Sequence, residues 1–133
     1  TMALLDAGVP LKRALAGISV GLVTEIDDSG NITDYKRLLD IIGSEDFFGD
    51  MDFKLCGTEQ GVTGFQLDLK LTGLPITILN EAIQQAAEAR TKVLAVMAEG
   101  IKGPAEISPH APRIESIKIN PEKIFIKLKE ILG

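Results

Sequence analysis

Two hydrophobic periods follow one another in the second half of this chain, and together they leave few folds open. Across Thr63–Leu71, Phe65, Leu67, Leu69 and Leu71 alternate with Gln66, Asp68 and Lys70. That period of two belongs to a strand with one buried and one wetted face. Beyond Thr77 the period changes. Leu79, Ala82, Ile83, Ala86, Ala89, Val93 and Met97 recur at steps of three and four, which makes one apolar stripe along a helix. The many alanines predict a helix lying close on a sheet, with Phe65, Leu67 and Leu69 beneath Ile83, Ala86 and Val93. Thr77 is expected to cap this helix and Glu81 to lie in its first turn, while Gly100 and Gly103-Pro104 end it. A strand that is half wetted implies antiparallel pairing. The expected fold is therefore α/β of the α+β type: a mostly antiparallel sheet with one long helix packed on it.

The remaining segments fit this plan. Ala3–Gly8 reads as the last turn of a helix stopped by Gly8 and Pro10. Ala16–Thr24 alternates through Ile18, Val20 and Leu22 with small residues between them, a strand with one closely packed face. The turn cluster Asp27–Asn31 is expected to close a hairpin onto a strand near Tyr35–Ile42. Gly43–Met51 reads as an acidic loop holding one helical turn that Ser44 could cap. A strand is expected over Asp52–Gly57, joined to Thr63–Leu71 by a turn at Glu59-Gln60-Gly61. Gly103–Arg113, with three prolines and the only histidine, reads as a linker. A short strand over Ile114–Ile119 and a final helix from Pro121 through Leu132 complete the expectations.

The chain has 133 residues, of which 45% are hydrophobic and 25% charged, the balance of a globular domain. No apolar run is long enough to cross a bilayer, and the first residues carry no secretory signal. A lone cysteine, Cys56, makes no internal disulfide and points to a reducing cytoplasm; its place in a strand suggests a small buried hydrophobe. With 19 acidic against 14 basic residues, the net charge of −5 is opposite to the basic footprint of a domain that grips nucleic acid unaided. A role on RNA would need metal ions or basic groups from elsewhere.

The candidate chemistry lies in Asp46-Phe47-Phe48-Gly49-Asp50-Met51-Asp52-Phe53-Lys54. On an extended strand Asp50, Asp52 and Lys54 share a face, and Asp46 can fold back toward them. Carboxylates so grouped could hold Mg²⁺ or Mn²⁺, hard ions that prefer oxygen, and Lys54 could pair with a carboxylate or touch phosphate. By spacing alone a solvated acidic loop entering a strand is the commoner meaning of such a cluster. His110 lacks partners for a metal or catalytic site, and Asp27–Asn31 lacks the ligand spacing of a calcium loop.

Four collinear segments carry a resemblance: MALLDAGVPLKR, AGISVGLV, DIIGSEDFFGDMDFKLCGTEQGVTGFQLDLKL and ISPHAPRIESIKINPEKI. In this order, over roughly residues 1–124, the chain resembles the polynucleotide phosphorylase family, with GDMDFK-x-x-GT as its most specific core. The resemblance implies part of an RNase PH-like fold, namely the C-terminal part of the second such domain over residues 1–102. Residues 103–133 would be a linker and short segment leading toward a KH domain. The implied activity is phosphorolytic 3′-to-5′ degradation of RNA, inorganic phosphate releasing nucleoside diphosphates. A homotrimeric ring, RNA-degradation machinery as partner, and a cytoplasmic, non-membrane setting go with it. Asp46, Asp52 and Lys54 match the family's catalytic positions. Asp46 and Asp52 would be the ligands of Mg²⁺ or Mn²⁺, with a possible acid role for Asp52, and Asp50 would be structural.

The family's serine-rich phosphate loop and its first RNase PH-like domain have no counterpart among these residues, so the chain by itself is expected to be inactive. Phe125–Gly133 shows no glycine-rich KH loop. Two alternatives remain at this level. One is a non-catalytic, ring-forming subunit of the same fold, and the other is an isolated metal-dependent RNA-binding module.

Overall fold

A computed structural model describes residues 1–132, so Gly133 of the C-terminal tail lies outside the described residues. A short helix α1 (Met2–Asp6) leads into an antiparallel hairpin, β1 (Ala16–Ile26) and β2 (Ile32–Leu39). Helix α2 (Gly43–Phe48) then precedes a second hairpin, β3 (Met51–Thr58) and β4 (Gly61–Leu69), and the long helix α3 (Ile76–Gly100) follows. The four strands form one sheet in the order β2-β1-β3-β4, every neighbouring pair antiparallel. The expected α+β architecture is present: one antiparallel sheet with one long helix on it.

Alternation decides the two faces of the sheet. Val20 and Leu22 of β1 and Met51, Phe53 and Leu55 of β3 point inward and are buried, together with Ile78, Ala82 and Ala86 of α3. Between them on the outer face stand Gly17, Ser19 and Gly21 of β1 and Asp52, Lys54 and Cys56 of β3. At the inward positions of β2, Tyr35 and Arg37 tie the sheet to the helix. The Tyr35 hydroxyl donates to Glu81 at 3.0 Å, and Arg37 pairs with Glu81 and donates to Gln85 at 3.1 Å.

Helix α3 lies over β1 and β3 and also touches β2. β4 is at the sheet's edge, so its inward residues are not roofed as expected: Phe65 is 72% exposed and meets the core through the edge of Phe53, Leu67 is 37% exposed, and Leu69 packs on the core. The helix face is also rotated slightly from the expected stripe. Its buried line runs through Ile78, Ala82, Ala86, Ala89 and Arg90, with Leu79 and Ile83 flanking it and Val93 and Met97 half-buried. Arg90 was hidden from periodicity because its charge suggests a wetted position; its Nε donates to the Thr58 carbonyl at 3.2 Å and so pins the end of β3 to the helix. Because Ala86 has no exposed surface, Ala86→Phe should destabilise the chain by about 1–3 kcal/mol through overpacking. Chemical denaturation of both proteins checks this, and an unchanged midpoint would contradict it.

Several local expectations need correction. Thr77 lies inside α3, whose N-cap is Pro75, and Glu81 sits beyond the first turn, where Arg37 and Tyr35 hold it. Ser44 likewise lies inside α2; Glu45 instead accepts the Ile42 backbone N–H at 2.9 Å and closes that helix start. Cys56 is exposed, because the outer sheet face carries no covering layer at that point. Ile114–Ile119 forms no strand and adds to neither open edge of the sheet. From Lys102 to Asn120 no helix or strand forms, although the Ala105 N–H donates to the Leu5 carbonyl at 2.8 Å and docks this stretch on α1. The final helix occurs as expected: Asn120 caps a 3₁₀ turn, Pro121–Lys123, that continues into α4 (Ile124–Leu132).

Candidate active site

The outer face of β3 brings Asp52 and Lys54 together because residues two apart in a strand share a side. Lys54 forms an ion pair and hydrogen bond with the Asp52 carboxylate through Oδ2. Asp52 is only 3% exposed, whereas the Lys54 side chain is about half exposed. The second carboxylate oxygen, Oδ1, is buried without a hydrogen-bond partner among the described residues. A buried lone acceptor of this kind costs free energy unless something else satisfies it.

Asp46 sits on α2 and is exposed. Its carbonyl, with that of Phe47, receives the Lys70 ammonium at 2.5 and 2.9 Å, which ties α2 to the end of β4. The side-chain charge of Asp46 reaches Lys54. The hydrogen bond that Lys54 donates to Asp52, then the charges of Asp52, Asp46 and Asp68, hold the Lys54 pKa above its ordinary value against the desolvation that lowers it. Lys54 therefore keeps its proton across the neutral range and acts as a fixed cation. It does not serve as a base.

Asp50, the third carboxylate of the motif, does something else. Its Oδ2 accepts from the Thr24 backbone N–H at 2.7 Å and from the Thr24 hydroxyl at 2.8 Å, while its own N–H donates to the Leu22 carbonyl at 2.7 Å and its carbonyl accepts from Lys70 at 2.9 Å. Asp50 thus stitches the loop to β1 and to the end of β4. Gly49 permits that path. A Cβ there would lie 2.5 Å from the Glu45 carbonyl oxygen and 3.1 Å from that of Leu22, so the turn between α2 and β3 closes only without a side chain.

Asp68 was not singled out by the sequence, yet it stands directly opposite Asp52 across the β3–β4 ladder. Like charges so placed repel. Lys54 offsets this from one side, and Gln66 donates to Asp68 at 2.8 Å from another. The register responsible depends on a bulge between Cys56 and Gly57. Were the pairing carried on from the turn without the bulge, Asp52 would face Leu67 and the polar face would carry leucines. Gly57 lets the bulge close, since a Cβ there would be 2.1 Å from the Gly61 carbonyl oxygen.

Among the described residues, no group of three or more His, Cys, Asp or Glu is arranged to hold a metal ion. The buried Asp52 Oδ1 is the acceptor left without a partner there, and the charge of Asp46 is felt at Lys54; two such carboxylates could hold a hard cation only with water completing its shell. His110 is exposed in the linker, and its backbone N–H donates to the Ser108 hydroxyl at 3.2 Å. Asp27 accepts from the backbone of Ser29 and Asn31 and from the Asn31 side chain, which lowers its pKa and makes it a turn residue.

No protein-family model matches the chain. Individual proteins do. The polyribonucleotide nucleotidyltransferase of Akkermansia muciniphila is 68% identical over 124 residues, which cover 93% of this chain and 17% of that protein. Those of Methylacidiphilum infernorum and Opitutus terrae are 55% and 52% identical, covering 93% and 92% of this chain and 18% and 17% of their own lengths. The chain spans about one sixth of the curated relatives it matches and, along nearly all of its own length, is homologous to a segment of the polyribonucleotide nucleotidyltransferases.

Proposed function

We propose that this chain is part of the catalytic domain of a phosphorolytic 3′-to-5′ exoribonuclease. In this reading residues 1–102 belong to the second RNase PH-like domain of the parent enzyme, and residues 103–133 lead away from it toward an RNA-binding module. The parent would act on RNA and inorganic phosphate as a cytoplasmic homotrimer. No helix of the described residues is long and apolar enough to cross a membrane.

The observation that carries the proposal is the buried Asp52 carboxylate, bonded to Lys54 through one oxygen and unpartnered at the other. Its partner Lys54 presents a permanent positive charge where a scissile phosphodiester would lie. The charge gathering on phosphate oxygens during attack by inorganic phosphate is the kind that a fixed, preorganised cation stabilises. Asp52 orients that cation, and Asp46 and Asp52 would hold Mg²⁺ or Mn²⁺. When bound, the metal neutralises phosphate charge and favours the leaving oxygen. With a net charge of −5, RNA would approach only where a metal ion, or basic groups from the rest of the parent, offset that charge. The exposure of Phe65 on the edge strand, and of Phe47 and Phe48 on α2, agrees with further packing in a larger protein.

Manganese tests the metal assignment, because its paramagnetism broadens nearby nuclear resonances. Titrating Mn²⁺ into the ¹⁵N-labelled chain should first erase the amide signals of Asp46, Asp52 and Lys54. Asp52→Asn should abolish this selectivity. Broadening that centres on the Asp27–Asn31 turn, or spreads evenly over the acidic surface, would assign these carboxylates to solvation alone.

A further inference from the structure

Beside the Asp52–Lys54 pair a trough of about 500 Å³ opens on the outer sheet face. Its lining includes Ser19, Asp40, Lys54 and Gln66, with Gly17 and Gly64 at its floor. Three of these residues form a row across β1, β3 and β4, and Asp40, one residue past the end of β2, continues it. Val20 faces Leu39 in the β1–β2 ladder, so Ser19 lies beside Asp40, whose N–H donates to the Ser19 carbonyl at 2.8 Å. Ser19 in turn faces Lys54, and Lys54 faces Gln66. The Asp40 and Lys54 backbones therefore stand two strand spacings apart, about 10 Å.

Asp40 is held there at a cost. It is the one non-glycine residue among those described with a positive φ, +58°. Such backbone is uncommon for side-chain-bearing residues, and strain of this kind gathers at ligand-binding positions. No described residue hydrogen-bonds to or pairs with its carboxylate, and Asp40 is absent from the acids whose charge reaches Lys54. The Ser19 hydroxyl accepts the Ile41 N–H at 3.0 Å, which leaves its own hydrogen free to donate into the trough. The floor is flat because it is made of glycine. A Cβ on Gly64 would press on the Cys56 sulfur at 3.3 Å, and one on Gly17 would meet the Cys56 Cβ at 3.5 Å.

We infer that Asp40 is a specificity-determining residue that accepts hydrogen bonds from the ribose hydroxyls of the substrate's terminal nucleotide, with its phosphate at Lys54. A carboxylate is the acceptor that suits a pair of vicinal hydroxyls, and a nucleotide has its phosphate and its 2′-hydroxyl at separated ends, as this row has its cation and its anion. Loss of the 2′-hydroxyl leaves the carboxylate unpaired in the complex and weakens binding. This inference rests on the proposed nucleic-acid site, and adds that the site distinguishes RNA from DNA through Asp40.

The test uses the ¹⁵N-labelled 133-residue chain in Mg²⁺, titrated with tetra-riboadenylate and with its 2′-deoxy counterpart. Both should shift the amide signals of Ser19, Lys54, Gly64 and Gln66, with the ribo form binding about tenfold more tightly, the worth of one hydrogen bond to a charged group. Asparagine tolerates positive φ. Asp40→Asn should therefore keep the fold and the deoxy affinity, while the ribo preference falls to about twofold or less. An undiminished preference in Asp40→Asn overturns the role of Asp40 and leaves the site standing. Equal binding of the two oligonucleotides to the unaltered chain does the same. If neither shifts any trough signal, both this inference and the nucleic-acid site beneath it fail. If Asp40→Asn lowers deoxy affinity as much as ribo affinity, the residue is structural.

Discussion

Asp52→Asn, made in a full-length polypeptide that contains this chain, is expected to lower phosphorolysis of oligoadenylate by about a hundredfold or more, the scale of losing one preorganised electrostatic group. Asparagine keeps the volume of the side chain but loses the charge. Lys54 is then no longer tethered by an anion, and its ammonium, half exposed, is free to leave the position in which it would meet phosphate. The buried oxygen that would face the metal becomes neutral at the same time. Both effects fall on the charged transition state, so kcat should drop more than substrate affinity. Asp50→Asn is the control, because its carboxylate is occupied by Thr24. It should lower thermal stability and leave the activity of the folded fraction much closer to normal. Release of nucleoside diphosphate, measured with thermal melting of the same samples, separates the two aspartates. If Asp52→Asn keeps more than about a tenth of the activity, the electrostatic role assigned to it is wrong.

Leu22→Ala should destabilise the chain by about 2–5 kcal/mol, the usual cost of emptying a fully packed leucine site. Leu22 has no exposed surface and lies beside its cross-strand partner Met51 in the cluster that includes Ala82 and Ala86 of α3. Phe65→Ala, though it removes a larger side chain, should cost only about 1 kcal/mol. Phe65 is 72% exposed, and its main apolar contact is the edge-to-face packing on Phe53 with ring centroids 6.1 Å apart, an arrangement worth about 0.5–1.5 kcal/mol. Urea denaturation of the two variants at equal slope measures the difference. A larger loss for Phe65→Ala than for Leu22→Ala would mean that β4 lies under the helix after all.

Much of this fold is legible along the chain because its signals are local. The alternation of Ile18, Val20 and Leu22, the turn chemistry of Asp27–Asn31, and the three-and-four spacing of Leu79 through Met97 each determine an element through backbone geometry alone. Helix capping was less legible. Ser44 and Thr77 are sound caps by residue type, but both helices begin before them, at Ile42 and Pro75, since capping chemistry does not say where a preceding strand or turn releases the chain. Cys56 and Arg90 exchanged their expected places for a related reason. Side-chain polarity describes an average environment, whereas burial depends on which neighbouring element covers that point.

The candidate site divides along the same line. The sequence by itself determined that Asp52 and Lys54 share a face, because the period of a strand admits no other outcome, and it placed Asp46 in the segment just before them. What the tertiary structure alone decided is the company they keep. The bulge at Cys56 and Gly57 sets Asp68 opposite Asp52, the closure at Gly49 brings α2 and Asp46 within electrostatic reach of Lys54, and the β1–β2 register brings Asp40 into the row of the trough. Each of these joins residues far apart in the chain through ladder register and backbone approach, and neither quantity is written in any local pattern of residues.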